Sequence, residues 1–177
     1  MQLGTGTSHR RLVWVLGGLV IAFLVATGAM FVFPPTDQPQ RVDGVLGLNG
    51  TFESARAAKA VSLVEQGYAR TLLFSVGNSG TACPTVPHVK VVCFVAVPGR
   101  TVGEAEFAGA YARRHGWHSM IVVASRAQAL RARLIVGRCF HGRLLVVPAR
   151  VQPAHFPFEV LYEWAALGKA LVVDTSC

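Results

Sequence analysis

Hydrophobic positions divide the chain into one long uninterrupted apolar stretch and a series of short apolar runs that alternate with segments of helical period. Residues 12–33 carry no charge. As a helix they would reach about 33 Å at about 1.5 Å per residue, enough to cross the hydrocarbon core of a bilayer. Pro34 and Pro35 end this stretch because neither can continue a helix. Beyond them, short apolar runs predict strands at 43–48, 71–76, 89–97, 120–125 and 144–148. Helices are predicted over 54–66, with Gly67 as its stop, over 101–115 and over 128–136, and a last one starts near Pro157 or Phe158 and runs to about Gly168. Each strand is a continuous apolar run rather than an in/out alternation, which is the mark of a parallel sheet covered on both faces. The expected architecture is therefore a doubly wound, Rossmann-like α/β domain with a mostly parallel five-stranded sheet and helices on both faces, preceded by one transmembrane helix. Segment by segment, 1–11 is a cytoplasmic N-terminus, 12–33 the membrane span, 34–41 a linker and 42–177 the α/β domain.

Charge gives the span an orientation. His9, Arg10 and Arg11 precede it, whereas Asp37, Arg41 and Asp43 follow it, so the positive-inside bias keeps the N-terminus in the cytoplasm and exports the rest. A cleaved signal peptide, with a small-residue site at Thr27 to Ala29, is the alternative; a retained anchor is preferred because signal apolar regions are usually only about 7–15 residues long. A net charge of +8 would suit nucleic acid, an anionic membrane surface or an acidic ligand. The expected location excludes nucleic acid. All four cysteines follow the span, where an oxidising compartment permits disulfides. Cys83 and Cys93 flank a short Pro-containing stretch and are expected to bridge, with the pairing of Cys139 and Cys177 left open. The histidines are dispersed without zinc spacing, so no metal site is expected. Neither a dinucleotide fingerprint nor a Walker lysine is present, so no cofactor is identified.

In a doubly wound fold, strand-to-helix loops gather at the C-terminal edge of the sheet, where ligands bind. The residues expected there are Asn49, Ser75, Asn78, Thr101, Glu104, Ser125 and Gln128, with Arg56 and Arg131 at the rim as anion donors. Thr101 to Glu104 also fits a helix capping box, which alone would account for both residues. Turn or capping roles suffice for Ser75 and Ser125, and Arg133 reads as part of a solvated helix face.

Taken in order, Val45-Leu46-Gly47, Arg56, Ser75-Val76-Gly77-Asn78, Thr101-Val102-Gly103-Glu104-Ala105, Ser125 and Arg131-Ala132 resemble the SanA/YdcF/ElyC-like family, a domain of unknown function often found behind an N-terminal membrane helix. The likeness covers residues 42–171. In that family the corresponding motifs resemble S-G-G, T-x-x-E-N/A, and a Ser or Thr followed by His and then Arg-Ala. This chain departs from them in its Ser75-Val76-Gly77-Asn78 segment and in Gln128, which stands where the histidine is usual and cannot shuttle protons as an imidazole can. The cysteines and Arg138-Cys139-Phe140 resemble an actinobacterial branch.

The resemblance implies a role in cell-envelope biogenesis or integrity, on the lipid-carrier side of wall synthesis. The expected function is binding of a small anionic, phosphate-linked envelope ligand, with hydrolysis or transfer for which Glu104 is the acid/base group. The alternatives are a non-catalytic envelope interaction factor and, by fold analogy alone, a nucleotide- or methyl-donor-binding enzyme. The topology is directly testable: a reporter active only outside the cytoplasm should be active when fused after Cys177, and one active only inside should be silent. The reverse pattern would overturn both the export and its disulfide corollary.

Overall fold

The computed structural model describes residues 5–49, 53–77, 82–150 and 153–177. Helix α1, Thr5–Thr27, passes into a wider π turn, Gly28–Val32, before the prolines. The apolar segment His9–Val32 is long enough to cross a membrane and has a mean hydropathy of 2.4. The domain then runs through β1 (Gly44–Gly47), α2 (Glu53–Glu65), β2 (Thr71–Ser75), β3 (Lys90–Phe94), α3 (Thr101–Arg114), β4 (Ser119–Ser125), α4 (Ala129–Cys139), β5 (Arg143–Ala149) and α5 (Phe156–Val172). The expected elements are all present, with boundaries displaced by a few residues; the last helix runs one turn further than Gly168.

All five strands are parallel, in the order β3-β2-β1-β4-β5. Alternate residues of the inner strands feed two cores. Val45, Leu72, Ile121 and Val123 meet Ala60, Leu63 and Val64 of α2 on one face. Leu46, Leu73, Met120 and Val122 meet α3 and α4 on the other. Burial of both faces explains why the strands read as unbroken apolar runs. Small residues let α3 and α4 pack closely: a Cβ on Gly109 would strike the Cys139 carbonyl, and Ala105, Ala108, Ala129 and Ala132 are fully buried.

Two connections add to the expected frame. The 34–41 segment is docked on the sheet rather than extended as a free linker: Asp37 N–H donates to the Val146 carbonyl at 2.9 Å, and the Asp37 carboxylate accepts Val146 N–H at 2.8 Å. Arg143 donates to Gln40 and to the Arg41 carbonyl. This segment therefore covers the edge of β5, which would otherwise present unpaired backbone groups. Arg133, expected to be solvated, binds Asp37 in the same contact, because the covered edge brings that carboxylate to the helix. The second connection is a C-terminal tail held down by Cys139–Cys177, beside the expected bridge Cys83–Cys93.

The sequence separation of 38 between Cys139 and Cys177 predicts what this bridge contributes. Replacing both with serine should cost about 2–4 kcal/mol by restoring chain entropy to the unfolded state. Urea unfolding of the full chain in mild detergent should show a lower midpoint; an unchanged midpoint would mean that fastening the tail adds nothing to stability.

Candidate functional site

Sheet order reverses between β1 and β4, and the crevice lies beyond their C-terminal ends, as doubly wound folds dictate. It is a cavity of about 650 Å³ lined by Asn49, Arg56, Ser75, Thr101, Glu104, Gln128 and Arg131, with Glu159 and Glu163 of α5 forming a further wall. The strand ends supply Ser75 and Ser125, the first turns of α2, α3 and α4 supply the charged and amide groups, and the segment after β1 supplies Asn49. Of the residues expected at this edge, all come together except Asn78, which lies outside the described residues.

Hydrogen bonds gather Arg56, Ser125 and Arg131 around Gln128 and Thr101, and bring Asn49 to Glu104. Arg56 donates through Nη1 to Gln128 Oε1 at 2.8 Å, and Gln128 Nε2 lies 3.5 Å from Thr101 Oγ1. Arg131 donates to the same Thr101 hydroxyl at 3.0 Å and grips Glu163 with two bonds of 2.7 Å. Gln128 N–H donates to Ser125 Oγ at 3.3 Å, so Ser125 does serve as a turn residue. The backbone N–H of Asn49 donates to Glu104 Oε1 at 2.7 Å.

Two expectations need correction. The arginines do not stand at the rim: Arg56 and Arg131 are only 3% and 8% exposed. Glu163 of α5, far along the chain, draws Arg131 inward, and Gln128 holds Arg56. Nor do Thr101 and Glu104 form a capping box, since the residue preceding α3 is Arg100 and it makes no side-chain cap. Tertiary partners, Arg131 for the hydroxyl and Asn49 for the carboxylate, displace the local bonds that a cap would use.

Glu159 and Glu163 were not anticipated. Their signal in the sequence is an i, i+4 carboxylate pair in a mostly apolar helix, a spacing that sets both on one face. Burial pushes the Glu104 carboxyl above the usual range, against the opposing pull of Asn49 N–H, the Ser75 hydroxyl and both arginines. Glu159 is raised by burial and by the neighbouring Glu163 charge, although it accepts a bond from Ser125. Burial lowers Arg56; for Arg131, burial acts the same way but is outweighed by Glu163, and the net shift is upward.

These shifts set the electrostatic balance. Arg131 and Glu163 neutralise each other. Arg56 makes no ion pair within 4 Å among the described residues, and the charges of Glu104, Glu159, Arg131 and Glu163 act on it from further off. Its Nε and Nη2 are buried and have no hydrogen-bond partner among the described residues, and the same holds for Glu159 Oε2. A buried guanidinium with idle donors suits a phosphate or carboxylate. Among the described residues, no three His, Cys, Asp or Glu side chains gather in a way that could hold a metal ion.

Compared with protein-family models, curated proteins and solved structures, the chain shows no match to any.

The raised affinity of two carboxyls for their protons predicts a pH dependence of stability. Unfolded glutamate loses its proton near about pH 4.3, while the folded Glu104 and Glu159 hold theirs to higher pH. Across that window the unfolded chain binds fewer protons, so stability falls as pH rises from about 4.3 and levels off once the folded carboxyls have ionised. Glu104→Gln and Glu159→Gln should each flatten the fall and raise Tm at about pH 7–8, by roughly 2–4 °C for each kcal/mol recovered, with little change near pH 4. Thermal scans across this range check it; a Gln variant less stable than the parent at about pH 8 would show that the charged form is the favoured one.

Proposed function

We propose that the crevice binds a small anionic group of an envelope metabolite, phosphate-linked and lipid-carried forms included, and that Arg56 is its principal receptor. The observation that carries this reading is the pair of idle donors on a buried guanidinium facing a cavity of about 650 Å³. The N-termini of α3 and α4 open on the same cavity and add partial positive charge. Glu104, biased toward its acid form and in contact with the Ser75 hydroxyl, is suited to give a proton to a leaving oxygen in hydrolysis or transfer at such a group.

The placement belongs to the same proposal. Domain and crevice face the outside of the cytoplasmic membrane, with α1 as a single anchor. The cluster His9, Arg10 and Arg11 before the span supports this orientation, and so does the pairing of all four cysteines, which suits an oxidising compartment. Ordered likeness to the SanA/YdcF/ElyC-like motifs supports the envelope role, and four of the motif residues, Arg56, Thr101, Ser125 and Arg131, are joined through Gln128 in one hydrogen-bonded cluster.

Binding is measured with inorganic phosphate and pyrophosphate on the full chain in detergent. Both anions should raise Tm of the parent, and Arg56→Gln should lose most of that rise, whereas Arg133→Gln should keep it. An equal rise in Arg56→Gln, or none in the parent, would sink the anion reading. Glu104→Gln separates chemistry from binding: the reading expects retained anion stabilisation with loss of complementation of an envelope defect, and full complementation would favour a non-catalytic interaction factor.

A further inference from the structure

Helix α5 is arranged opposite to a surface helix in water. Its carboxylates Glu159 and Glu163 point inward to the crevice. Its outward ridge, at spacings of three and four, reads Phe158, Leu161, Ala165, Gly168 and Val172, without a polar side chain. Phe158, Leu161 and Val172 are 79%, 68% and 80% exposed. Lys169 borders the ridge and reaches toward Asp174, with Nζ 3.8 Å from its carboxylate. A helix that faces water on that side would carry polar residues there.

The surroundings of α5 identify what covers it. Trp164 stacks on Phe23 of α1 with ring centroids 5.3 Å apart, donates its indole N–H to Thr27 Oγ1 at 3.2 Å, and meets Phe31 edge-on. Phe23 lies eight positions before Phe31, about 12 Å along the helix axis at about 1.5 Å per residue. A span over His9–Val32 places that level inside an apolar band of about 30 Å. Trp164 therefore lies beside the span below its outer end, and Leu161, Ala165 and Gly168 of the ridge adjoin it on α5 at spacings of three, one and four.

We infer that α5 is an in-plane membrane helix: its ridge of Phe158, Leu161, Ala165, Gly168 and Val172 is seated among the acyl chains of the outer leaflet, and the occupant of this face is lipid. Phe158 and Tyr162 also line the crevice, so its mouth opens at the bilayer surface. The inference rests on the membrane-spanning reading of α1 and is independent of the anion reading.

The test uses the full chain, with its native disulfides intact, in vesicles of phosphatidylethanolamine and phosphatidylglycerol. A nitroxide is attached at Leu161→Cys or Val172→Cys, with Val20→Cys as the reference in α1 and Glu65→Cys as the aqueous reference. Collision rates with oxygen, which concentrates in lipid, are compared with those of a water-soluble nickel chelate. The expected result is an oxygen rate above the nickel rate at 161 and 172, as at 20, and the reverse at 65. Nickel-dominated collisions at 161 and 172 with oxygen-dominated ones at 20 would overturn the in-plane helix while leaving the span intact; nickel-dominated collisions at 20 would remove the span itself. Dipolar broadening between labels at 161, or shielding from both reagents, would assign the ridge to a protein contact and overturn the lipid assignment.

Discussion

Much of the molecule depends on one buried ion pair. Arg131 grips Glu163 through two bonds of 2.7 Å and turns its remaining donor to Thr101, so α4, α5 and the start of α3 meet at a single guanidinium. Removing two charges from water costs several kcal/mol per ion, and the bidentate geometry with a third bond is what offsets it. The cost is specific to position, because either partner left alone would be an uncompensated charge in the core. The pair consequently helps to fix where α5 lies, and α5 in turn provides a wall of the crevice and the seat for α1.

That arrangement also explains the division of labour between two arginines which share a cavity. Arg131 is saturated by its glutamate and a hydroxyl, so it organises the wall. Arg56 has one bond to Gln128 and otherwise only charges nearby, those of Glu104, Glu159, Arg131 and Glu163. A glutamine is well suited between them: its carbonyl accepts from Arg56 while its amide leans toward Thr101, without adding a charge that titrates near neutrality.

Local periodicity was enough to read the strands and helices, because burial of the sheet on both faces imposes the same apolar run on each inner strand. The gathering of Ser75, Thr101, Glu104, Ser125, Gln128, Arg56 and Arg131 was also legible, since parallel strands with helical crossovers bring those loop positions to one edge. Individual contacts were not. Thr101 and Glu104 fit a local capping pattern, but a distant arginine and a distant backbone N–H compete for the same atoms and prevail. Burial of Arg131 depends on a glutamate 32 residues away, whose inward face emerges only once α5 is docked. In the same way, nothing in the irregular 34–41 segment signals that its partner is the exposed edge of β5.

That docked segment changes the mechanical character of the protein. Residues fastened to the β5 edge through Asp37, Gln40 and Arg41, together with Trp164 held against α1, make the join between helix and domain a bracket with two fixings. A swinging tether lets a domain sample a hemisphere of solvent and any orientation toward the bilayer. A bracket holds the crevice at one height and one tilt relative to α1. Any displacement of α1 would then be transmitted to α5 and the wall that it forms.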